Sequence, residues 1–346
     1  MKKCVINKLL FAAIIICGVG AITFSEELAV GIKAGIEISL NSVIPSLYIF
    51  TALSLFAVKS SLFSQSGFVR ILTSLLFGCS SEIGTVYLLS FFCGYPIGAK
   101  LINEIYLEGK VSKISAEKML CFCINPGPAF VISIIGTEVY GNASIGAILF
   151  VSVVLSSVIG IRFYRPRDIS RITKYETDMS TSYYKDFMYS VDSANKSMVS
   201  ICGWVILSNA IITSLKPLEK IKMLLCLVEV TSGAMTAAEN YSVYFVAFLI
   251  GFGGFSVHMQ VLSCAKDFNP NYIKILLCKV IQGAVTSAVC YILLRIFPQT
   301  VNVSNNFKFE AISNSISPLS SAVLVVFVVT TLIFMNKKIK MYGKAK

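Results

Sequence analysis

The sequence predicts an all-α fold: a polytopic transmembrane helical bundle of two pseudo-repeated halves, each containing broken or re-entrant helical hairpins. Three observations predict it. The 346 residues are 55% hydrophobic and only 14% charged, with a mean hydropathy of +0.77, whereas a soluble domain carries roughly 25% charged residues. The apolar runs are long and continuous, unlike the short alternating segments of a transmembrane barrel. Gly and Pro interrupt these runs in both halves, the pattern of transporters with discontinuous helices.

From the N-terminus, residues 1–27 read as a signal-anchor span. Met1-Lys2-Lys3 precedes the apolar run Leu9 to Phe24, and Ser25-Glu26-Glu27 makes a poor cleavage site. The first half is expected over 28–164. Leu28 to Ser42 places Lys33, Glu37 and Asn41 at helical spacing and leads into the span Val43 to Val58. Lys59 and Arg70 then mark a cytoplasmic return.

The stretch that organises the chain follows. Ile83 to Cys93 is about half the roughly 20 residues needed to cross a bilayer. It runs into the break Gly94-Tyr95-Pro96-Ile97-Gly98-Ala99-Lys100, then the charged, amphipathic Leu101 to Leu120. A second short segment, Cys121 to Ile135, is broken at Asn125-Pro126-Gly127-Pro128. In hydrocarbon each freed backbone group costs several kcal/mol, so such breaks are expected only where they are buried in protein or line a wet cavity. Ala143 to Tyr164 is an ordinary span.

A basic cytoplasmic loop over 165–190 carries Arg165, Arg167, Arg171 and Lys174 and divides the halves. The second half, 191–297, opens with the polar helix Asp192 to Ser197 and the span Ser200 to Leu215. Next come the short Leu224 to Ala238, which contains Glu229, and the apolar run ending in Gly251-Phe252-Gly253-Gly254-Phe255. Matching that glycine run to Phe92-Cys93-Gly94-Tyr95 sets Gln282-Gly283-Ala284 against Asn125-Pro126-Gly127. Residues 298–346 supply a final span, Leu319 to Met335, and a basic cytoplasmic tail. With both termini inside, the number of crossings is even; six full spans plus paired hairpins satisfy it.

Composition narrows the function. The net charge of +12 lies at span ends and tails, which fits the positive-inside rule and a lipid bilayer, not a nucleic-acid surface. Of eleven cysteines, Cys17, Cys93, Cys202, Cys226, Cys278 and Cys290 lie in or beside apolar runs as small hydrophobes, and Cys121 and Cys123 lack zinc spacing. With His258 the single histidine, no multi-His metal site is expected, and no cofactor. Neither a nucleophile elbow nor a phosphate-binding loop is visible, so enzymatic activity is not expected.

The breaks carry the expected substrate site: Gly94, Tyr95, Pro96, Gly98, Lys100, Asn125, Pro126, Gly127, Gly253, Gly254 and Gln282. Half-helix N-termini expose unpaired N–H groups and a partial positive charge that suit an anion. Lys100 would add a full charge and Asn125 a donor and an acceptor. Glu82 and Glu229, each before a broken segment, are the expected ion- or proton-coupling carboxylates.

The run Phe91-Phe92-Cys93-Gly94-Tyr95-Pro96-Ile97-Gly98-Ala99-Lys100 and the run Asn125-Pro126-Gly127-Pro128-Ala129-Phe130 resemble sporulation integral membrane proteins of the nucleoside-recognition, or Gate, domain superfamily. The resemblance covers most of residues 35 to 335. It implies a multi-pass protein of endospore formers, placed in the outer forespore membrane, that helps move dipicolinic acid into the spore. Tyr95 or Phe255 would then face the substrate ring. A homo-oligomer or a forespore membrane partner is compatible with that role. Two alternatives stay open: a membrane scaffold for spore maturation with no substrate, and a nucleoside transporter.

Overall fold

The computed structural model describes residues 11–12, 14–15, 18–166, 183–215 and 222–299. The expected final span and tail, the very N-terminus and most of the basic loop lie outside them. Among the described residues all regular structure is helical.

Residues 18–23 are helical and lead into α1, Ser25–Ile38. A π-helical turn, Ser39–Val43, joins α1 to α2, Ile44–Lys59. Pro45 falls at the start of α2, where its missing N–H is tolerated. Then comes α3, Gly67–Leu76, where the sequence suggests only a cytoplasmic return. Its Phe68, Ile71 and Leu75 are all exposed along one side. The next helix, α4 (Ser81–Cys93), bends away from α3 by 80°.

After the break at 94–96 come α5 (Ile97–Leu107) and α6 (Lys113–Leu120), then an irregular stretch and a π-helix over Ala129–Val139. The next helix, α7, spans Ala143–Phe163. In the second half α8 is one 33-residue helix, Tyr183–Leu215, so the expected polar helix and the following span are a single rod. The remaining elements are α9 (Lys222–Leu225), α10 (Val230–Asn240), α11 (Val243–Phe252), α12 (Gly254–Cys264), a 3₁₀ turn at Lys266–Phe268 and α13 (Tyr272–Ile296).

Four of these are long and apolar enough to cross a membrane: α7, α8, the α11–α12 unit Val243–Cys264, and α13. The bent α3–α4 pair makes a fifth candidate. The chain is a multi-pass membrane protein.

Small residues set the helix crossings, as expected where lipid removes the hydrophobic drive between helices. A Cβ on Gly31 would lie 2.6 Å from the Asn209 carbonyl oxygen, and one on Gly35 2.6 Å from Ile206 Cα, so α1 rides directly on α8. Likewise a Cβ on Gly251 would come within 3.0 Å of Gly283 Cα, where α11 crosses α13.

That crossing corrects one expectation. Gln282-Gly283-Ala284 is no break; it lies in the unbroken helix α13. Gly283 is there for close approach, since a side chain would meet the Phe248 carbonyl oxygen at 2.9 Å. The internal symmetry read from the sequence therefore lacks its second pair of breaks. Two hydrophobic cores form, and each draws on residues from both sides of the basic loop. One gathers α2, α4, α5 and α6 with parts of α8 and α12; the other gathers the π-helix and α7 with α10 and α11.

Candidate functional site

The first break begins where α4 ends. Gly94 has a φ of 72°, a conformation that L side chains rarely adopt. The Tyr95–Pro96 bond is cis, and α5 starts at Ile97. The second break, residues 121–128, separates α6 from the π-helix. The two breaks touch backbone to backbone: a Cβ on Gly94 would lie 3.2 Å from Gly127 N, and one on Gly98 would overlap the Cys123 carbonyl oxygen. These glycines thus serve close approach of one main chain to another.

A third break lies at Gly253 and Gly254, with φ values of 92° and 75°. Several of the freed backbone groups there find partners, as burial in hydrocarbon favours. The Tyr95 hydroxyl donates to the Ile250 carbonyl, which ties the first break to the third. A His258 ring nitrogen, Nε2, lies 2.9 Å from the Phe252 carbonyl oxygen. Phe255 N donates to the Leu227 carbonyl at 2.8 Å, and Ser256 N to that of Val228, also at 2.8 Å.

The most polar part of the interior lies beside the second break. Asn125 Nδ2 donates to the Phe122 carbonyl at 2.8 Å, while its Oδ1 accepts from Ser157 Oγ at 2.8 Å and from Gln282 Nε2 at 2.9 Å. Gln282 Nε2 also lies 2.7 Å from Ser157 Oγ. Lys279, one helical turn before Gln282, is 0% exposed. Its Nζ donates to the Ile124 carbonyl at 2.7 Å and to Gln282 Oε1 at 2.6 Å. Among the described residues no carboxylate forms an ion pair with it; both hydrogen-bonding partners are neutral.

Gly94, Tyr95, Pro96, Gly98, Pro126, Gly127, Gly253 and Gly254 all fall in or at the rims of three breaks that meet. Asn125 and Gln282 are bonded directly. Glu229 is 3% exposed and caps α10, accepting from Thr231 N at 3.0 Å and Ser232 N at 2.8 Å. Its supposed counterpart Glu82 differs, being half-buried in the first turn of α4, the full length of that helix from Gly94.

Lys100 also stands apart from the network. Its Nζ pairs with Glu104 at 3.3 Å, and Glu104 accepts from the Tyr189 hydroxyl of α8 at 2.8 Å. Just past the end of α5, Glu108 pairs with Lys59 at 2.8 Å and Lys110 at 2.6 Å. The cation beside Asn125 is therefore Lys279, which sequence reading passed over. Its one sequence mark is a glutamine three residues on, at the end of the charged stretch from Cys264.

No family model matches the chain. Nor does any solved structure. The chain is 22% identical, over 318 aligned positions that cover 76% of each protein, to the sporulation integral membrane protein YlbJ of Bacillus subtilis (strain 168). This match supports a YlbJ-like family assignment. The Gate-domain resemblance rests on the two motif runs alone.

Proposed function

We propose that this protein carries a small organic anion across a membrane, with dipicolinate as the substrate and the outer forespore membrane of an endospore former as its place. One observation carries the reading: Lys279, buried in a candidate span between the neutral Ile124 carbonyl and Gln282, beside the junction of the breaks. A cation in hydrocarbon without a carboxylate partner is costly, and charged groups in such places default to substrate or ion pathways. A substrate carboxylate would supply the missing negative charge. Asn125, Ser157 and the Gln282 amide would hold its oxygens, and Tyr95 would sit at the edge towards the third break.

Substrate entry requires the Gly94–Gly127 contact to part, because the two main chains close the junction there. Glu229 remains the coupling residue in this reading, since its carboxylate holds the start of α10 next to Gly254. The relative's printed name, a sporulation membrane protein, agrees with a sporulation role.

The test is uptake of labelled dipicolinate by the purified protein in liposomes. Saturable uptake, lost in Lys279→Met, is the expected result. Uptake that uridine or adenosine displaces would replace the anion reading with a nucleoside one, and no flux under proton or sodium gradients would favour a scaffold.

A further inference from the structure

Where α7 leaves the apolar interior, two guanidiniums converge on one point. A Cβ on Gly78 would overlap Arg165 Nη2 and would lie 2.7 Å from Arg162 Nη1, so both head groups sit over the C-terminal end of α3. The helix dipole there is negative and offsets part of their repulsion. It does not use their donors: among the described residues neither guanidinium has an ion-pair partner or a hydrogen bond, Glu82 included. A third cation joins them. Lys118 Nζ donates to the Arg165 carbonyl at 3.2 Å and lies 4.9 Å from the centroid of the Tyr164 ring.

The depth of this cluster is marked independently. Arg162 and Phe163 are the last residues of the candidate span, Tyr164 and Arg165 the next two, and Phe163 is 89% exposed. A wholly exposed Phe followed by Tyr, flanked by arginines, is the arrangement found at headgroup level. Unlike Lys59, Lys100 and Lys110, which all pair with glutamates, these two arginines have no acidic partner among the described residues. Planar guanidiniums bind phosphate oxygens bidentately, and basic pockets between membrane helices take anionic lipid heads.

We infer that Arg162 and Arg165, with Lys118 beside them, form a site for the phosphate of an anionic phospholipid at the α3–α7 junction. Bound lipid would fix the bent α3–α4 pair against α7, close to the basic loop.

The full-length protein in nanodiscs tests this. Replacing phosphatidylcholine with 30–50% phosphatidylglycerol, roughly the range of bacterial membranes, should raise the melting temperature by several degrees. The rise should shrink in high salt and vanish in the Arg162→Gln/Arg165→Gln double variant. An equal rise in that variant would overturn the site. So would the same rise from millimolar inorganic phosphate in pure phosphatidylcholine discs, because the ligand would then be a free anion. Should the double variant fail to fold, Arg162→Lys/Arg165→Lys keeps the charge but loses the fork. Fewer phosphatidylglycerol molecules retained by it in native mass spectrometry supports the site, and unchanged retention refutes it.

Discussion

At the scale of single residues, the question is whether Lys279 is there for stability or for work. Removing it leaves the Ile124 carbonyl and Gln282 Oε1 without their donor, a loss of roughly 1–3 kcal/mol for each acceptor. It also removes a buried cation with no ionic partner among the described residues, whose desolvation costs several kcal/mol. The two effects oppose each other. Lys279→Met is therefore expected to melt within a few degrees of the wild type in detergent while losing dipicolinate uptake; a large fall in melting temperature would mean that the lysine is a structural cap. Gly98→Ala should behave in the opposite way, since its Cβ would overlap the backbone oxygen of Cys123. Overpacking of this kind costs roughly 1–3 kcal/mol, and a melting curve unmoved by Gly98→Ala would show that α5 and the second break can separate freely.

Much of the site was legible at this scale, because Gly and Pro stand out against apolar sequence wherever a helix must stop. Gly94, Pro126 and Gly253 could be picked on that ground alone, and Asn125 by standing next to Pro126. Lys279 could not, because it follows the charged stretch from Cys264 and reads as the end of it. Ser157 gave still less warning: one hydroxyl among the serines of α7 looks like any other until Asn125 and Gln282 are found on it.

At the scale of elements, glycine has two uses that sequence alone does not separate. Gly253 breaks a helix through its positive φ, whereas Gly283 and Gly35 let helices cross. Substitution tells them apart. A Cβ on Gly253 meets nothing nearer than Tyr95 Cε1 at 3.4 Å, so Gly253→Ala should cost only the left-handed backbone penalty of roughly 1–2 kcal/mol. Gly35→Leu, by contrast, drives a side chain into the main chain of α8 at Ile206. Its expected effect is to force α1 off α8, read as new protease sensitivity in residues 25–43; protection equal to wild type would show that the pair does not depend on this contact. The missed helix α3 has a related cause. Its Phe68, Ile71 and Leu75 face outwards, and a ten-residue amphipathic piece between Lys59 and Ser80 resembles a polar return when only its charges are counted.

At the scale of the whole molecule, the two cores each combine residues from before and after the basic loop, so movement cannot be one sequence half rocking on the other. The parts that can separate are instead the irregular stretch 121–128 and its two neighbours, the first break at Gly94 and α13 at the polar network. The thiols of Cys121 and Cys278 lie side by side across the seam with α13, which provides a reporter. In a variant keeping only these two cysteines, an added diamide oxidant should take up their two electrons and two protons and join the sulfurs as a disulfide. If transport needs the seam to open, the oxidised protein loses uptake and a reducing thiol restores it, with the melting temperature raised in the locked form. Full uptake through a protein shown by mass spectrometry to be cross-linked would place the moving seam elsewhere, and the Gly94–Gly127 contact between the first two breaks would be the next to lock.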